Sequence, residues 1–201
     1  MKPKKSGRGA LFIDRDGVIN RMVKYKYGWD SPRKVEDITL VPGIVEIIKW
    51  ANERSLPVIE ISNQPGVAKG KLTQKMSRAI QRRVEELLER RGVHLDKAYI
   101  CPHHPNGVVP ELTCDCHCRK PKPGLLLKAA KEMGLDLEKC IFLGDKETDA
   151  LAGRAAGCKT IIFVHDEDDP EKVAKTAAIT VTCDKIQSLF DAIKLLGKCL
   201  N

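Results

Sequence analysis

Three short apolar runs, each ending on a polar side chain, constrain this chain more than any other feature. Ala10–Asp14 reads ALFID, Leu56–Ser62 reads LPVIEIS and Cys140–Asp145 reads CIFLGD. Runs this short fit strands buried on both faces better than helices. Strands of that kind belong to parallel sheets covered by helices, since a sheet face open to water would impose alternation. Helical stretches fall between them. Gly43–Arg54 repeats Ile44, Ile47, Ile48 and Ala51 at helical spacing. Thr73 can cap a helix over Gln74–Arg91 whose apolar face is Met76, Ile80, Val84, Leu87 and Leu88. Ala98–Cys101 reads as a strand, and Pro123 and Gly124 open a helix through Met133. Thr148–Ala156 is a short helix and Lys159–Val164 a strand, followed by a weaker strand at Ile179–Thr182. Asp184 then caps a last helix carrying Ile186, Leu189, Phe190, Ile193 and Leu196. The alternation predicts an α/β fold, a Rossmann-like, mostly parallel sheet with helices on both faces.

The chain has 201 residues, enough for one domain. The expected division is a disordered basic tail over residues 1–9 and a single domain over 10–201. No apolar run reaches the roughly 18 residues of a membrane span. The basic start lacks the apolar core of a signal peptide, so a cytoplasmic protein is expected. No helix carries a surplus apolar face, which favours a monomer. The net charge is +8, and Lys2, Lys4, Lys5 and Arg8 supply half of it. A nucleic-acid interface would join a basic face to stacking aromatics, and aromatics are only 4% here. The acidic run Asp166–Glu171 reads as a solvated turn.

In open α/β sheets, ligands bind at the carboxyl ends of the strands. Asp14, Ser62 and Asp145 end three of them, so they should meet at one edge. Asp14 and Asp16 stand two apart, a nucleophile and a general acid or base if their surroundings separate their proton affinities. Gly17 allows the sharp turn between them and the next loop. More carboxylates in Gly144–Asp149 (GDKETD) would repel unless a cation joined them. Mg²⁺ suits one or two carboxylates plus phosphate oxygens. With Ser62 as a hydroxyl donor and Lys120 as a charge, the set matches a phosphoryl-transfer site.

The eight cysteines divide evenly. Cys140, Cys158, Cys183 and Cys199 sit among apolar neighbours as small buried side chains. Cys101, Cys114, Cys116 and Cys118 crowd one segment with His103, His104 and His117. Cys101-Pro102-His103 and Cys116-His117-Cys118 offer two close ligand pairs, a donor set that selects Zn²⁺. Cys114 with Cys116 is an alternative pair. Four protein ligands would leave no open position, so the zinc would be structural.

DRDGVIN (Asp14–Asn20), ISN (Ile61–Asn63), RKPKPG (Arg119–Gly124) and GDKETD resemble the four ordered motifs of the haloacid dehalogenase superfamily. The resemblance covers roughly residues 10 to 165 and implies that fold without a large cap domain. CPHHP, CxCRKP and SNQPGVAKG are similar to the branch of heptose 1,7-bisphosphate and histidinol-phosphate phosphatases. The resemblance implies that Asp14 attacks phosphorus and that Asp16 protonates the leaving oxygen and then activates water. It implies Mg²⁺ on Asp14, the Asp16 carbonyl and Asp145, with Ser62 and Lys120 on the phosphoryl oxygens. Asn63, Gln64, Arg119 and Lys146 would hold the substrate, Lys146 also supporting the nucleophile or its metal. Asp149 would orient Lys146 or the loop, or serve only as a first-turn acid of the helix. It implies Zn²⁺ on Cys101, His103, Cys116 and Cys118, in a loop spanning 101–118 that leads into Arg119 and Lys120.

Two departures stand out. Position 62 is Ser where many relatives have Thr, which keeps the hydroxyl. The loop Arg21–Lys34 is long and basic, so Tyr25, Tyr27 and Trp29 could pack on a sugar, and Lys24 or Lys26 could meet a second phosphate. Twelve residues separate His103 from Cys116, a long loop that favours a heptose bisphosphate substrate. Histidinol phosphate is the alternative substrate. A nucleic-acid-binding zinc protein or a polynucleotide 3′-phosphatase is the alternative of another class.

Overall fold

The computed structural model describes residues 7–163, 183–186 and 188–199. Six strands form one sheet in which every neighbouring pair is parallel. In chain order the elements are β1 (Leu11–Ile13), β2 (Val23–Tyr25), β3 (Gly28–Asp30), α1 (Ile44–Asn52), β4 (Val58–Asn63), α2 (Gln74–Glu89) and β5 (Lys97–Cys101). Then come α3 (Gly124–Met133), β6 (Ile141–Gly144), α4 (Glu147–Ala156), β7 (Lys159–Phe163), β8 (Cys183–Ile186) and α5 (Leu189–Cys199). The sheet order is β5-β4-β1-β6-β7-β8. β1 is central, with Phe12 registered against Ile59 of β4 and Phe142 of β6.

Strand periodicity sorts the core into two layers. Leu11 and Ile13 face one side with Ile44, Ile47 and Ile48 of α1, Ile80 and Val84 of α2, and Leu189 and Leu196 of α5. Phe12 faces the other side with Ile59, Ile61, Leu125 and Leu126 of α3, and Ala152 of α4. Both faces are therefore dry, which is why the strands read as continuous apolar runs rather than alternating ones. The Thr73 hydroxyl accepts from the Met76 N–H, 3.1 Å, and caps α2 as its sequence position suggests.

Three expectations change. Gly7 and Arg8 are not loose tail. The Arg8 carbonyl accepts from Asp136 N–H at 3.0 Å, and the Gly7 carbonyl accepts from Lys139 Nζ at 3.1 Å. The backbone hydrogen bonds of this approach outweigh its lack of apolar periodicity; residues 1–6 lie outside the described residues.

Asp184 and Ile186 belong to β8, not to the last helix. Parallel pairing with β7 takes up that backbone, and the Ser188 hydroxyl accepts from Phe190 N–H at the start of α5 instead. Phe190 is exposed, whereas Leu189, Ala192 and Leu196 are buried. The strand expected at Ile179–Thr182 and the acidic turn lie outside the described residues.

Arg21–Lys34 is organised as the antiparallel hairpin β2–β3, with Tyr25 opposite Gly28 at a left-handed φ of 107°. Cys140 and Cys158 are buried as expected; the side chains of Cys183 and Cys199 lie outside the description.

Candidate active site

The chain leaves β1 for β4 and β5 on one side and then crosses to β6, β7 and β8 on the other. The loops after β1 and β6 therefore diverge, and a crevice opens at their carboxyl ends. Asp14 follows β1, Ser62 and Asn63 close β4, and Asp145 follows β6. Gly17 has a left-handed φ of 101°, and a Cβ there would lie 2.1 Å from Asp145 Oδ2. Only glycine lets the loop after β1 press this closely on the loop after β6.

Lys120, just before α3, is 3% exposed and reaches under the loops. Its Nζ stands 2.9 Å from Asp14 Oδ1 and 2.7 Å from Asp149 Oδ1, and donates to the Ile61 carbonyl at 2.8 Å. The Phe142 ring lies below it, 5.3 Å from Nζ. Burial opposes the charged amine, but Asp14 and Asp149 outweigh it and raise its pKa above the usual value. Burial pushes the Asp14 carboxyl up, against the pull of Lys120.

Asp149 is fully buried. Besides holding Lys120, its Oδ2 accepts from the backbone N–H groups of Asp145 and Lys146 at 3.2 and 3.0 Å. Gly144 makes room for this, since a Cβ there would sit 2.4 Å from the Asp149 Cβ. The residue thus orients the loop and caps α4 while also carrying a buried ion pair that its helix position did not reveal.

Lys146 Nζ donates to the Asp16 carbonyl at 2.9 Å and to Asp145 Oδ1 at 3.1 Å, and stands 4.0 Å from Asp14 Oδ2. Burial raises the Asp145 pKa to about 7, with Lys146 opposing and Asp14 and Asp149 adding to the rise. Carboxylate oxygens of Asp14, Asp145 and Asp149 come close enough to share one cation.

Asp16 is held differently. Burial disfavours its charge, yet the Arg15 guanidinium and the Gln64 amide reverse this and keep its pKa well below the carboxylate range. Arg15 Nε is 3.1 Å from Asp16 Oδ1, and Gln64 Nε2 donates to Asp16 Oδ2 at 2.7 Å and to Ser62 Oγ at 2.8 Å. Asn20 Nδ2 donates to Asp16 Oδ1 at 3.0 Å. Gln64 therefore joins Ser62 to Asp16 as a positioning group. Asn63 has a similar task, because its carboxamide brackets the Lys120 peptide, accepting from Lys120 N–H and donating to Lys120 C=O at 3.0 Å each.

Two buried partners escaped the sequence reading. Arg15 is 2% exposed, and Glu60 is fully buried with its pKa raised to about 7, chiefly by burial. Gln81 on α2 donates to Glu60 and accepts from Arg15. The one available signal was Glu60 itself, an acid inside an otherwise apolar strand.

The Cys/His segment gathers four donors. The sulfurs of Cys101, Cys116 and Cys118 lie 3.1 to 3.5 Å apart, and His103 Nδ1 is 3.4 Å from Cys118 Sγ and 3.7 Å from Cys101 Sγ. These separations are too long for a disulfide. They are somewhat shorter than, or close to, the edges of about 3.3–3.8 Å of a tetrahedron whose metal–ligand bonds are about 2.0–2.3 Å, so the four donors surround one point. Cys114 is exposed and outside the group. His104 instead accepts from the Asn106 N–H. Arg119 follows at once and donates to the His103 carbonyl at 3.3 Å.

A family model described as HAD-hydrolase-like matches residues 117–189. A D-glycero-alpha-D-manno-heptose-1,7-bisphosphate 7-phosphatase of Photorhabdus laumondii is 34% identical over 180 residues, covering 88% of this chain and 95% of that protein. The crystal structure of a putative HAD-like phosphatase from Mesorhizobium loti superposes with a TM-score of 0.72 at 33% identity, covering 94% of this chain and 88% of that one. A D,D-heptose 1,7-bisphosphate phosphatase from B. bronchiseptica, complexed with magnesium and phosphate, shares the fold with a TM-score of 0.78 at 24% identity, over 94% of this chain and 98% of that one. With the split-sheet crevice and its carboxylates, these likenesses define a hydrolase: the chain belongs to the haloacid dehalogenase-like family of phosphatases.

Replacing Asp149→Ala leaves the buried Lys120 with one counter-charge and removes the acceptor of two backbone N–H groups. It should lower unfolding stability by about 3 kcal/mol, whereas Asp149→Asn, which retains a carbonyl acceptor, should cost less. Urea denaturation of both variants measures the difference.

Proposed function

We propose that this protein removes a phosphate group from a small phosphorylated sugar, with D-glycero-D-manno-heptose 1,7-bisphosphate as substrate and the 7-phosphate as the group removed. The observation that carries this reading is the convergence of Asp14, Lys120, Ser62 and Asp145 where the sheet splits. The names and near-complete coverage of the relatives at 34% identity support the sugar.

Asp14 is the nucleophile, its Oδ2 facing the cation side and its Oδ1 held by Lys120. Attack on phosphorus forms an aspartyl-phosphate and releases the sugar hydroxyl, and water then regenerates the carboxylate. Lys120 and Ser62 hold phosphoryl oxygens, neutralising charge that builds up during transfer. Asp16 is held ionised by Arg15, the state of a base toward water. To protonate the leaving oxygen first, it must be loosened from Arg15 and Gln64.

The carboxylate cluster fits Mg²⁺. The Lys146 ammonium already stands among the Asp14 carboxylate, the Asp16 carbonyl and the Asp145 carboxylate, a set of oxygens suited to a hard cation. Bound there, Mg²⁺ would supply charge stabilisation of the transferring group. The soft donors Cys101, His103, Cys116 and Cys118 fit Zn²⁺ in a closed structural site.

Phosphate release should be fast from the heptose bisphosphate and slow from histidinol phosphate, and Asp14→Asn should fall to background. Equal inactivity of the natural chain on both compounds would reject the reading.

Ionising the buried Asp145 weakens the metal-free fold progressively from about pH 3.8 to about 7, and the penalty is complete above that. Metal ligation needs the ionised form. Mg²⁺ should therefore raise the melting temperature at pH 8 and do so much less at pH 6, as read by scanning calorimetry.

Cys118→Ser should lose zinc by elemental analysis and lower kcat by displacing Arg119 and Lys120. A zinc-free variant with full kcat would contradict this role.

A further inference from the structure

We propose that Glu60 and Gln81 are positioning residues for the second half of the reaction. Glu60 sets the Gln81 carboxamide, Gln81 holds the Arg15 guanidinium, and Arg15 aims the Asp16 carboxylate at the water that attacks the aspartyl-phosphate. This rests on the phosphatase reading above and gives the polar groups buried beneath the crevice a task. In that step a bond forms between the water oxygen and phosphorus. The bond from phosphorus to Asp14 breaks and leaves the carboxylate, and the water proton passes to Asp16.

Glu60 is a costly occupant of its position. It lies in the middle of β4, registered against Ile13 of β1 and fully buried. By strand alternation it shares the side of Val58, the face that otherwise packs Leu11, Ile13, Ile80 and Val84. An apolar side chain would suit that face better, because a buried acid must be compensated by its neighbours. Glu60 Oε2 accepts from Gln81 Nε2 at 2.6 Å, and Oε1 has no hydrogen bond among the described residues. The hydrogen bonding of this acid is thus confined, among those residues, to one carboxamide.

That carboxamide must point one way. Arg15 offers only donors, so Gln81 has to present its oxygen, and Arg15 Nη1 donates to Gln81 Oε1 at 3.0 Å. A reversed amide would set N–H groups against N–H groups. Glu60 opposes the reversal by taking the Nε2 end, and the partly exposed Glu85 of α2 accepts from the same nitrogen at 3.1 Å. Arg15 turns its other edge to Asp16, with Nε 3.1 Å from Oδ1 and Nη2 3.3 Å from Oδ2. Such a two-point fork fixes the plane of a carboxylate as well as its place. Nη2 also donates to Gln64, whose amide reaches Asp16 and Ser62. The grip on Nη1 from α2 keeps the guanidinium from swinging out of this fork. Asp16 is therefore held in line from α2 and from the middle of β4, beneath the crevice.

The test is rapid-quench and steady-state kinetics on heptose 1,7-bisphosphate. It compares the natural chain with Gln81→Met, Glu60→Leu, Glu60→Gln and the double variant Glu60→Leu/Gln81→Met. Hydrolysis of the aspartyl-phosphate should slow by about tenfold in Gln81→Met and in Glu60→Leu, part of what a well-placed base contributes. kcat and KM should fall together while kcat/KM stays, with a burst of dephosphorylated sugar of about one equivalent of enzyme ahead of phosphate. Glu60→Gln still offers Gln81 an oxygen and should keep most of the natural kcat. The double variant should be no slower than Gln81→Met, because Glu60 acts through Gln81. Should Glu60→Leu fail to fold, Gln81→Met, at a half-buried helix position, decides alone. Natural kcat in the single variants overturns the proposal and leaves the phosphatase reading intact. A fall in kcat/KM without a burst, the mark of general damage to the site, overturns it as well. If the natural chain releases no phosphate, the phosphatase reading itself fails, and this step with it.

Discussion

A single buried ammonium organises the catalytic end of this sheet. Lys120 stands between Asp14, at the end of β1, and Asp149, in the first turn of α4, two carboxylates that would otherwise repel in a dry pocket. Removing two acids and an amine from water is costly, and the arrangement holds only because each has partners of opposite charge or a backbone group. The loop after β1 and the loop after β6 are drawn together through this amine. Asn63 then fixes the Lys120 backbone from β4, so three strand ends share one anchor.

The two acids of the first motif receive opposite treatment from their surroundings. Burial raises Asp14, whereas Arg15 and Gln64 hold Asp16 down. Two carboxyls two residues apart thus acquire different proton affinities, as a nucleophile and an acid–base group require. Arg15 is itself set by Gln81, which also donates to Glu60. The polarity of the site therefore extends one layer below the residues that face a substrate, into α2 and the middle of β4.

The Cys/His segment acts on the same centre from outside. Its four donors close into one cluster, and the chain leaving it runs directly into Arg119 and Lys120. Farther along the same loop, the Val108 N–H donates to the Ala68 carbonyl at 2.6 Å. That bond ties the Cys/His loop to the 64–72 loop, which carries Gln64. Two loops and the hairpin thus frame the entrance, in place of a large inserted domain.

Much of this was legible in the sequence. The apolar runs located β1, β4 and β6 because strands buried on both faces must be apolar along their whole length. Helical periodicity located α1 and α2, Pro123 and Gly124 marked the start of α3, and the polar residues at strand ends marked one edge of the sheet. Parts set by long-range pairing were not legible. The segment at Asp184 has a capping residue and apolar spacing, yet it pairs with β7 because the sheet edge offered hydrogen bonds that local pattern does not encode. Gly7 and Arg8 looked like tail because their partners lie at Asp136 and Lys139, far along the chain. The sequence by itself determined which side chains could do chemistry and the strand ends they occupy, since backbone period and residue type are local properties. Tertiary structure alone decided that Asp149 pairs with Lys120, that Arg15 rather than water meets Asp16, and that Gln81 joins Glu60 to Arg15. Such pairings depend on distances across the fold and on burial, which only the packed chain sets.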